Sequence, residues 1–164
     1  MSFAPGSPPS TRETPVSMTA RQHLQLMQIL LDTNVLLRSV EPGHRDHRAS
    51  IDAVDLLRQR RHELVIAPQV LYEFWSVATR PVSSNELGMS PSDAHAELVT
   101  LQRLFRLLRD ERAIYPIWEQ LVSSLAVKGK QAHDARLAAA MRRHGGGHLL
   151  TFNGISLYDC TRAC

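Results

Sequence analysis

With 164 residues, 43% of them hydrophobic, the chain has the size of one ordinary α/β domain with a full core. A net charge of +3 permits a nucleic-acid or acidic partner without demanding one, and no strongly basic tail or arm is present. The two cysteines, Cys160 and Cys164, exclude a disulfide framework and point to a reducing, cytoplasmic setting.

Residues 1–26 open as MSFAPGSPPSTRETPVSMTA, rich in Pro, Ser and Thr and nearly free of large apolar side chains. Such a segment buries too little surface to order itself, and it lacks the apolar centre of a signal peptide. Met18 and Met27 lie just ahead of the first predicted strand. The expectation is a natural start at one of them, with a mis-assigned extension before it, which the intact mass of native protein tests. No stretch approaches a membrane span.

MQILL (27–31) reads as a short apolar strand and NVLLRSV (34–40) as a short helix. EPGHRDHR (41–48) is a turn-rich loop. In 49–61, Ile51, Val54 and Leu57 recur along one helical face. ELVIA (63–67) is a second strand. Pro68 suits the first turn of a helix over 69–80, which Pro81 ends. After a loop, Ser90 and Pro91 open a predicted helix over 90–108. AIYPI (113–117) reads as a weak third strand, and 118–129 as a helix closing on Gly129. Residues 133–144 form an Ala-rich helix stopped by Gly145-Gly146-Gly147, and HLLTF (148–152) is the fourth strand. Trp75 and Trp118 are expected in the core, and Arg103, Arg106 and Arg109 along one solvated helix face. Apolar strands without alternation, separated by helices, predict a parallel sheet covered on both faces. Such sheets bind ligands at the carboxyl ends of their strands.

Three carboxylates stand out in that frame. Asp32 interrupts two apolar runs where the first strand ends; its bland role is to cap the following helix. Glu73 shares a helical face with Val70, Phe74 and Val77, so it is either a buried carboxylate needing a partner or one that reaches solvent at the stripe's edge. The residues alone leave both readings open. Asp134 opens a helix, where an acidic residue suits the cap and the dipole. Together the three share one rim of the predicted sheet. Oxygen-only ligands suit Mg²⁺ or Mn²⁺, and such a site can activate water and hold a phosphodiester.

LLDTNVLL (30–37), LYEFWSVATR (71–80) and HDARLAAAMRRHGGGHLLTFN (133–153), in this order and spacing, resemble the PIN-domain ribonucleases, most closely the VapC-type toxins of toxin–antitoxin pairs. The resemblance covers residues 27–157, leaving 158–164 as an aberrant tail. It implies a three-layer α/β/α fold around a mainly parallel sheet of four to five short strands. It also implies cleavage of RNA, often tRNA or rRNA, by a metal-activated water, a homodimer and a small neutralising antitoxin. Carried over by position, Asp32, Glu73 and Asp134 match the catalytic, metal-binding acids. Thr33 and Asn34 match the polar pair supporting the first acid, and Thr151 and Asn153 the polar residues ending the fourth strand.

The chain departs from the family at Ser156 and Leu157, where a fourth Asp and a Phe usually stand. A Ser hydroxyl brings no charge to Mg²⁺. The chain also stops before the place of the family's fifth, edge strand. These departures favour a second reading, a catalytically impaired PIN domain that binds RNA or antitoxin without cutting. Arg38, Arg80, Lys128 and Lys130 are candidates for RNA phosphate contacts. A phosphoacceptor role for Asp32 in a receiver-like protein fits poorly, because no acidic pair follows the first strand. HGGGH without a Gly-x-Ser-x-Gly argues against a lipase-like hydrolase.

Overall fold

Among the described residues, four short strands form one sheet in the order β3-β2-β1-β4, and each of these pairings is parallel. This computed structural model describes residues 26–81 and 87–152. The expected extension through residue 25, Asn153, Ser156 and the expected tail lie outside the described residues. In chain order the elements are β1 (Gln28–Leu31), α1 (Thr33–Ser39), α2 (His47–Gln59), β2 (Glu63–Ile66), α3 (Pro68–Ala78), α4 (Pro91–Leu104), β3 (Arg106–Leu107), α5 (Ile114–Ser124), α6 (Gln131–His144) and β4 (His148–Leu150).

The two central strands are buried at consecutive positions: Ile29, Leu30 and Leu31 in β1, and Leu64, Val65 and Ile66 in β2. Successive strand residues point to opposite faces, so both faces are covered and the fold is a three-layer α/β/α domain. The main core joins these strands to Val35, Leu36, Val70, Phe74 and Leu101. Each large side chain buried there contributes about 1.5–3 kcal/mol of transfer free energy. A second, smaller cluster of Ile114, Leu121, Ala138, Ala139 and Ala140 joins α5 to α6, with Trp118 packed on it. Small alanines on α6 let the two helices approach closely. Among the described residues no helix is long and apolar enough to cross a membrane.

The third strand is not where the sequence places it. Residues 113–117, expected as a strand, begin α5, and β3 falls inside the helix expected over 90–108. Leu101, Leu104, Phe105 and Leu108 carry a helical spacing, which hides the change. The chain turns extended at Phe105 (φ −130°, ψ 142°). Phe105 and Leu108 are then buried beside β2, where the Leu108 amide donates to the Ile66 carbonyl at 2.8 Å. Pairing with a sheet edge outweighs helix propensity there. In α5, Pro116 sits in the first turn, where its missing N–H leaves no intrahelical bond unmade. Arg103, Arg106 and Arg109 consequently do not share a helix face; Arg106 lies in β3 and pairs with Glu63. Trp75 is exposed rather than core, as is its neighbour Tyr72.

The glycines after α6 act as expected. Gly145 takes the left-handed conformation at φ 74°, and the Gly146 amide returns to the Met141 carbonyl at 2.8 Å. This stop turns the chain directly into β4.

Candidate active site

Register sets the site. Leu30 pairs with Val65 and with Leu149, and Leu31 with Leu150, so β1, β2 and β4 end at about one level. The residues just beyond them therefore meet on one rim.

Asp32 leaves β1 with its amide bonded to the Leu150 carbonyl at 3.0 Å. Its Oδ1 accepts the Thr33 amide at 2.7 Å, so it does cap α1. Capping and chemistry are compatible, because the cap aims the carboxylate. Oδ2 accepts the Asn34 amide nitrogen at 2.8 Å and the Thr151 hydroxyl at 2.6 Å. Asn34 also donates to Thr151 Oγ1 at 2.9 Å and accepts the Phe152 amide at 3.1 Å, which pins β4's exit to α1. Thr33, Asn34 and Thr151 thus all bond to the Asp32 carboxylate.

Glu73 projects from α3, between solvent and core. Its neighbours on the same face, Val70 and Phe74, are fully buried, which fixes the helix's rotation. Both carboxylate oxygens are partnered: Oε2 accepts the Thr33 hydroxyl at 2.8 Å and Oε1 accepts Gln69 Nε2 at 2.8 Å. The choice left open by the sequence is settled in favour of a partly buried, partnered carboxylate.

Asp134 is exposed and lies in the first turn of α6, where it suits the helix dipole. It is not the cap, because α6 starts earlier, at Gln131, after Lys130. Loss of hydration and the charge of Glu73 push its carboxyl above the usual range, with His133 opposing. Asp32 is also pushed up. Burial is the main cause, offset by the bonds from Thr151 and Thr33, and the charges of Glu73 and Asp134 add to it. The three carboxylates therefore feel one another across the rim.

A donor set made only of oxygens, mutually repelling and partly desolvated, fits a hard divalent cation. Its charges need a positive partner. As the side chains stand, no group of three or more His, Cys, Asp or Glu among the described residues is gathered closely enough to hold an ion. The oxygens of Asp32 and Glu73 are instead turned onto Thr, Asn and Gln donors.

Sequence reasoning missed Gln69 and Arg136. Gln69 is 6% exposed, and its Nε2 also donates to the His133 carbonyl at 3.1 Å. Arg136 donates to Gln69 Oε1 at 3.2 Å and grips Asp110 with bonds of 2.8 and 2.9 Å. A signal existed for Gln69, which precedes Glu73 by one helical turn; none existed for Arg136, whose partners Gln69 and Asp110 are distant in the chain. Of the basic candidates, Lys128 and Lys130 lie just ahead of α6, both exposed. Arg38 pairs with Glu41 at 2.7 Å, and Arg80 lies beyond the far end of α3, within 3.3 Å of the Ser76 hydroxyl.

Among solved structures, the fold is similar to VapBC2 from Rickettsia felis bound to a promoter DNA fragment (TM-score 0.57, 16% identity, covering 77% of this chain and 88% of that one). It is similar to VapC20 from Mycobacterium tuberculosis, described as a Sarcin-Ricin loop cleaving toxin (TM-score 0.54, 21% identity, 77% and 90%). FitAcB from Neisseria gonorrhoeae is similar as well (TM-score 0.57, 19% identity, 81% and 93%). At these identities the likeness is one of fold. No curated protein matches the sequence. The family model described as PIN domain, however, matches residues 29–157, a span that contains Asp32, Glu73 and Asp134 and nearly the whole parallel sheet. On that match the chain belongs to the PIN-domain family.

Proposed function

We propose that this protein is a metal-dependent endoribonuclease that hydrolyses RNA phosphodiester bonds, the toxin of a type II toxin–antitoxin pair. The observation that carries the reading is the placement of Asp32, Glu73 and Asp134 on one rim, where Glu73 bonds to Thr33, the residue after Asp32, and Gln69 links Glu73 to His133, the residue before Asp134. Membership of the PIN-domain family supports it, as do fold neighbours described as VapBC, VapC and FitAB proteins. The partners that follow from this reading are an RNA substrate such as tRNA or rRNA, a cognate antitoxin protein and a second copy of the chain, in the cytoplasm.

Asp32, Glu73 and Asp134 would hold Mg²⁺ or Mn²⁺. When bound, the cation supplies positive charge to the phosphodiester and acidifies water. The chain's own groups prepare that site. Thr33, Asn34 and Thr151 hold Asp32 in one orientation, and Thr33 and Gln69 do the same for Glu73. Lys128 and Lys130, just before α6, stand ready for the RNA backbone.

RNA cleavage by the purified chain with Mg²⁺ or Mn²⁺, beside Asp32→Ala and Ser156→Asp, tests the reading. Cleavage by the parent that is lost in Asp32→Ala supports it, and undiminished cleavage by a folded Asp32→Ala protein overturns it. The second reading, a PIN domain that binds RNA or antitoxin without cutting, rests on Ser156 in place of the family's usual fourth Asp. A silent parent beside an active Ser156→Asp variant would favour it.

A further inference from the structure

Glu73 and Asp134 stand on different helices, α3 and α6, and those helices belong largely to different packing clusters. Something must set the distance between them. One side chain bonds to both sides of that gap. Gln69 Nε2 donates to Glu73 Oε1 at 2.8 Å and to the carbonyl of His133, the residue preceding Asp134, at 3.1 Å.

The amide's orientation is fixed from the other end. Arg136 Nη1 donates to Gln69 Oε1 at 3.2 Å, so the oxygen faces the guanidinium and the NH₂ faces the two acceptors. A flipped amide would set its oxygen against a carboxylate and a carbonyl, and its NH₂ against a cation. Arg136 is itself held through Nη2, which donates to both oxygens of Asp110. Guanidinium–carboxylate bonds of this kind are short and directional. Gln69 is 6% exposed, so water competes little for these bonds. Asp110, Arg136, Gln69 and Glu73 thus form one continuous chain of hydrogen bonds.

We propose that Gln69, oriented by Arg136, is a positioning residue that sets the separation of Glu73 from Asp134 and so tunes the affinity of the acidic rim for a divalent cation. This rests on the nuclease reading above. Its effect falls on the cation and on the carboxylates, and it leaves RNA binding unchanged.

The test measures Mn²⁺ binding by the loss of the free-ion signal in electron paramagnetic resonance, together with RNA cleavage across a Mg²⁺ titration. It uses the full chain as parent, Gln69→Leu, Arg136→Met, Asp32→Ala and, as a structural control, Ser50→Ala. Ser50 is fully buried and its hydroxyl donates to the Val35 carbonyl at 2.7 Å, away from Glu73 and α6. Gln69→Leu is expected to weaken Mn²⁺ binding by about tenfold or more, as loss of a group orienting a ligand does. The Mg²⁺ needed for half-maximal cleavage should rise in parallel, with the KM for RNA unchanged. Arg136→Met should shift both in the same direction by less, and it carries the test if Gln69→Leu does not fold. Ser50→Ala should lower thermal stability and leave Mn²⁺ affinity at the parent's value. Parent-like Mn²⁺ affinity in folded Gln69→Leu or folded Arg136→Met overturns the positioning role alone. A parent that binds no Mn²⁺, or binds it no better than Asp32→Ala, overturns the nuclease reading and the positioning role with it. A parent that binds Mn²⁺ but does not cut RNA still tests the positioning role through the binding measurement.

Discussion

Asp32 and Asp134 bear the same carboxyl group on the same rim, and both are pushed above the usual range. Their surroundings differ. Asp32 sits between β1 and α1, is half-buried and accepts three hydrogen bonds. Asp134 is exposed on α6, whose packing comes mostly from α5, and only desolvation and neighbouring charges act on its carboxyl. One side of the site is built into the sheet; the other is brought to it by a helix. A rim of acids therefore need not be uniformly rigid. Asp32 follows a strand and Glu73 is held by donors from Thr33 and Gln69, while α6 carries the third acid.

The sharpest way to break this contrast is Asp32→Ala, which should reduce RNA cleavage to background. Losing the cap costs about 0.5–2 kcal/mol, and removing a desolvated charge offsets part of it. The melting temperature should therefore stay near the parent's while activity disappears, as thermal melts run beside cleavage assays will read. A truncation of the scaffold gives the reverse pattern. Phe74 is fully buried next to Glu73, and Phe74→Ala should cost about 3–5 kcal/mol, measured by urea unfolding. An equal loss from truncating Leu121 to Ala in the α5–α6 cluster would show that the two sides are equally rigid.

Thr33→Val is subtler. It keeps the shape and removes the hydroxyl that donates to Glu73 at 2.8 Å. A hydrogen bond to a charged group contributes about 1.5–3 kcal/mol, so stability should fall within that range, with weaker Mn²⁺ binding. Unchanged Mn²⁺ affinity would mean that Thr33 only packs.

The smallest effect concerns pH. The folded-state carboxyls of Asp32 and Asp134 lie above the ordinary value of 3.8, so the folded protein holds these protons to higher pH than the unfolded chain does. Their contribution to stability is fully present below the unfolded value and is lost as pH rises through the folded values. Glu63 acts oppositely. Its carboxyl is held below 4.5 by bonds from Gln28 and Arg106, so its contribution is lost as pH falls. Comparing parent with Asp134→Asn in chelator isolates the first effect. The variant should melt slightly higher at neutral pH, with a shallower fall above the acidic range, and Mg²⁺ should remove its advantage. An Asp134→Asn protein no more stable than the parent in chelator would mean that this carboxylate carries no strain.

Of the four strands among the described residues, three are legible in the sequence. Those at 27–31, 63–67 and 148–152 show because consecutive apolar residues bounded by Asp32, Pro68 and the glycine run admit few other readings. The third strand does not show, because Leu101, Leu104, Phe105 and Leu108 repeat with a helical period although the chain leaves the helix at Phe105. Trp75 misleads for a related reason. Size and apolarity argue for the core, but the buried face of α3 is already filled by Val70, Phe74 and Ala78.

Local patterns of burial and breakage mark strand ends and helix starts, and so the amino-acid order alone carries the parallel α/β class and the acidic positions Asp32, Glu73 and Asp134. Which oxygens are partnered, that Asp134 lies inside a first turn, and that Gln69 and Arg136 connect α3 to α6 emerge only on folding. Those facts depend on pairs as far apart in the chain as Gln69 and Arg136 or Asn34 and Thr151. No local pattern records such a pair, because the geometry that makes it is set by the register of the sheet and by the packing of one helix against another.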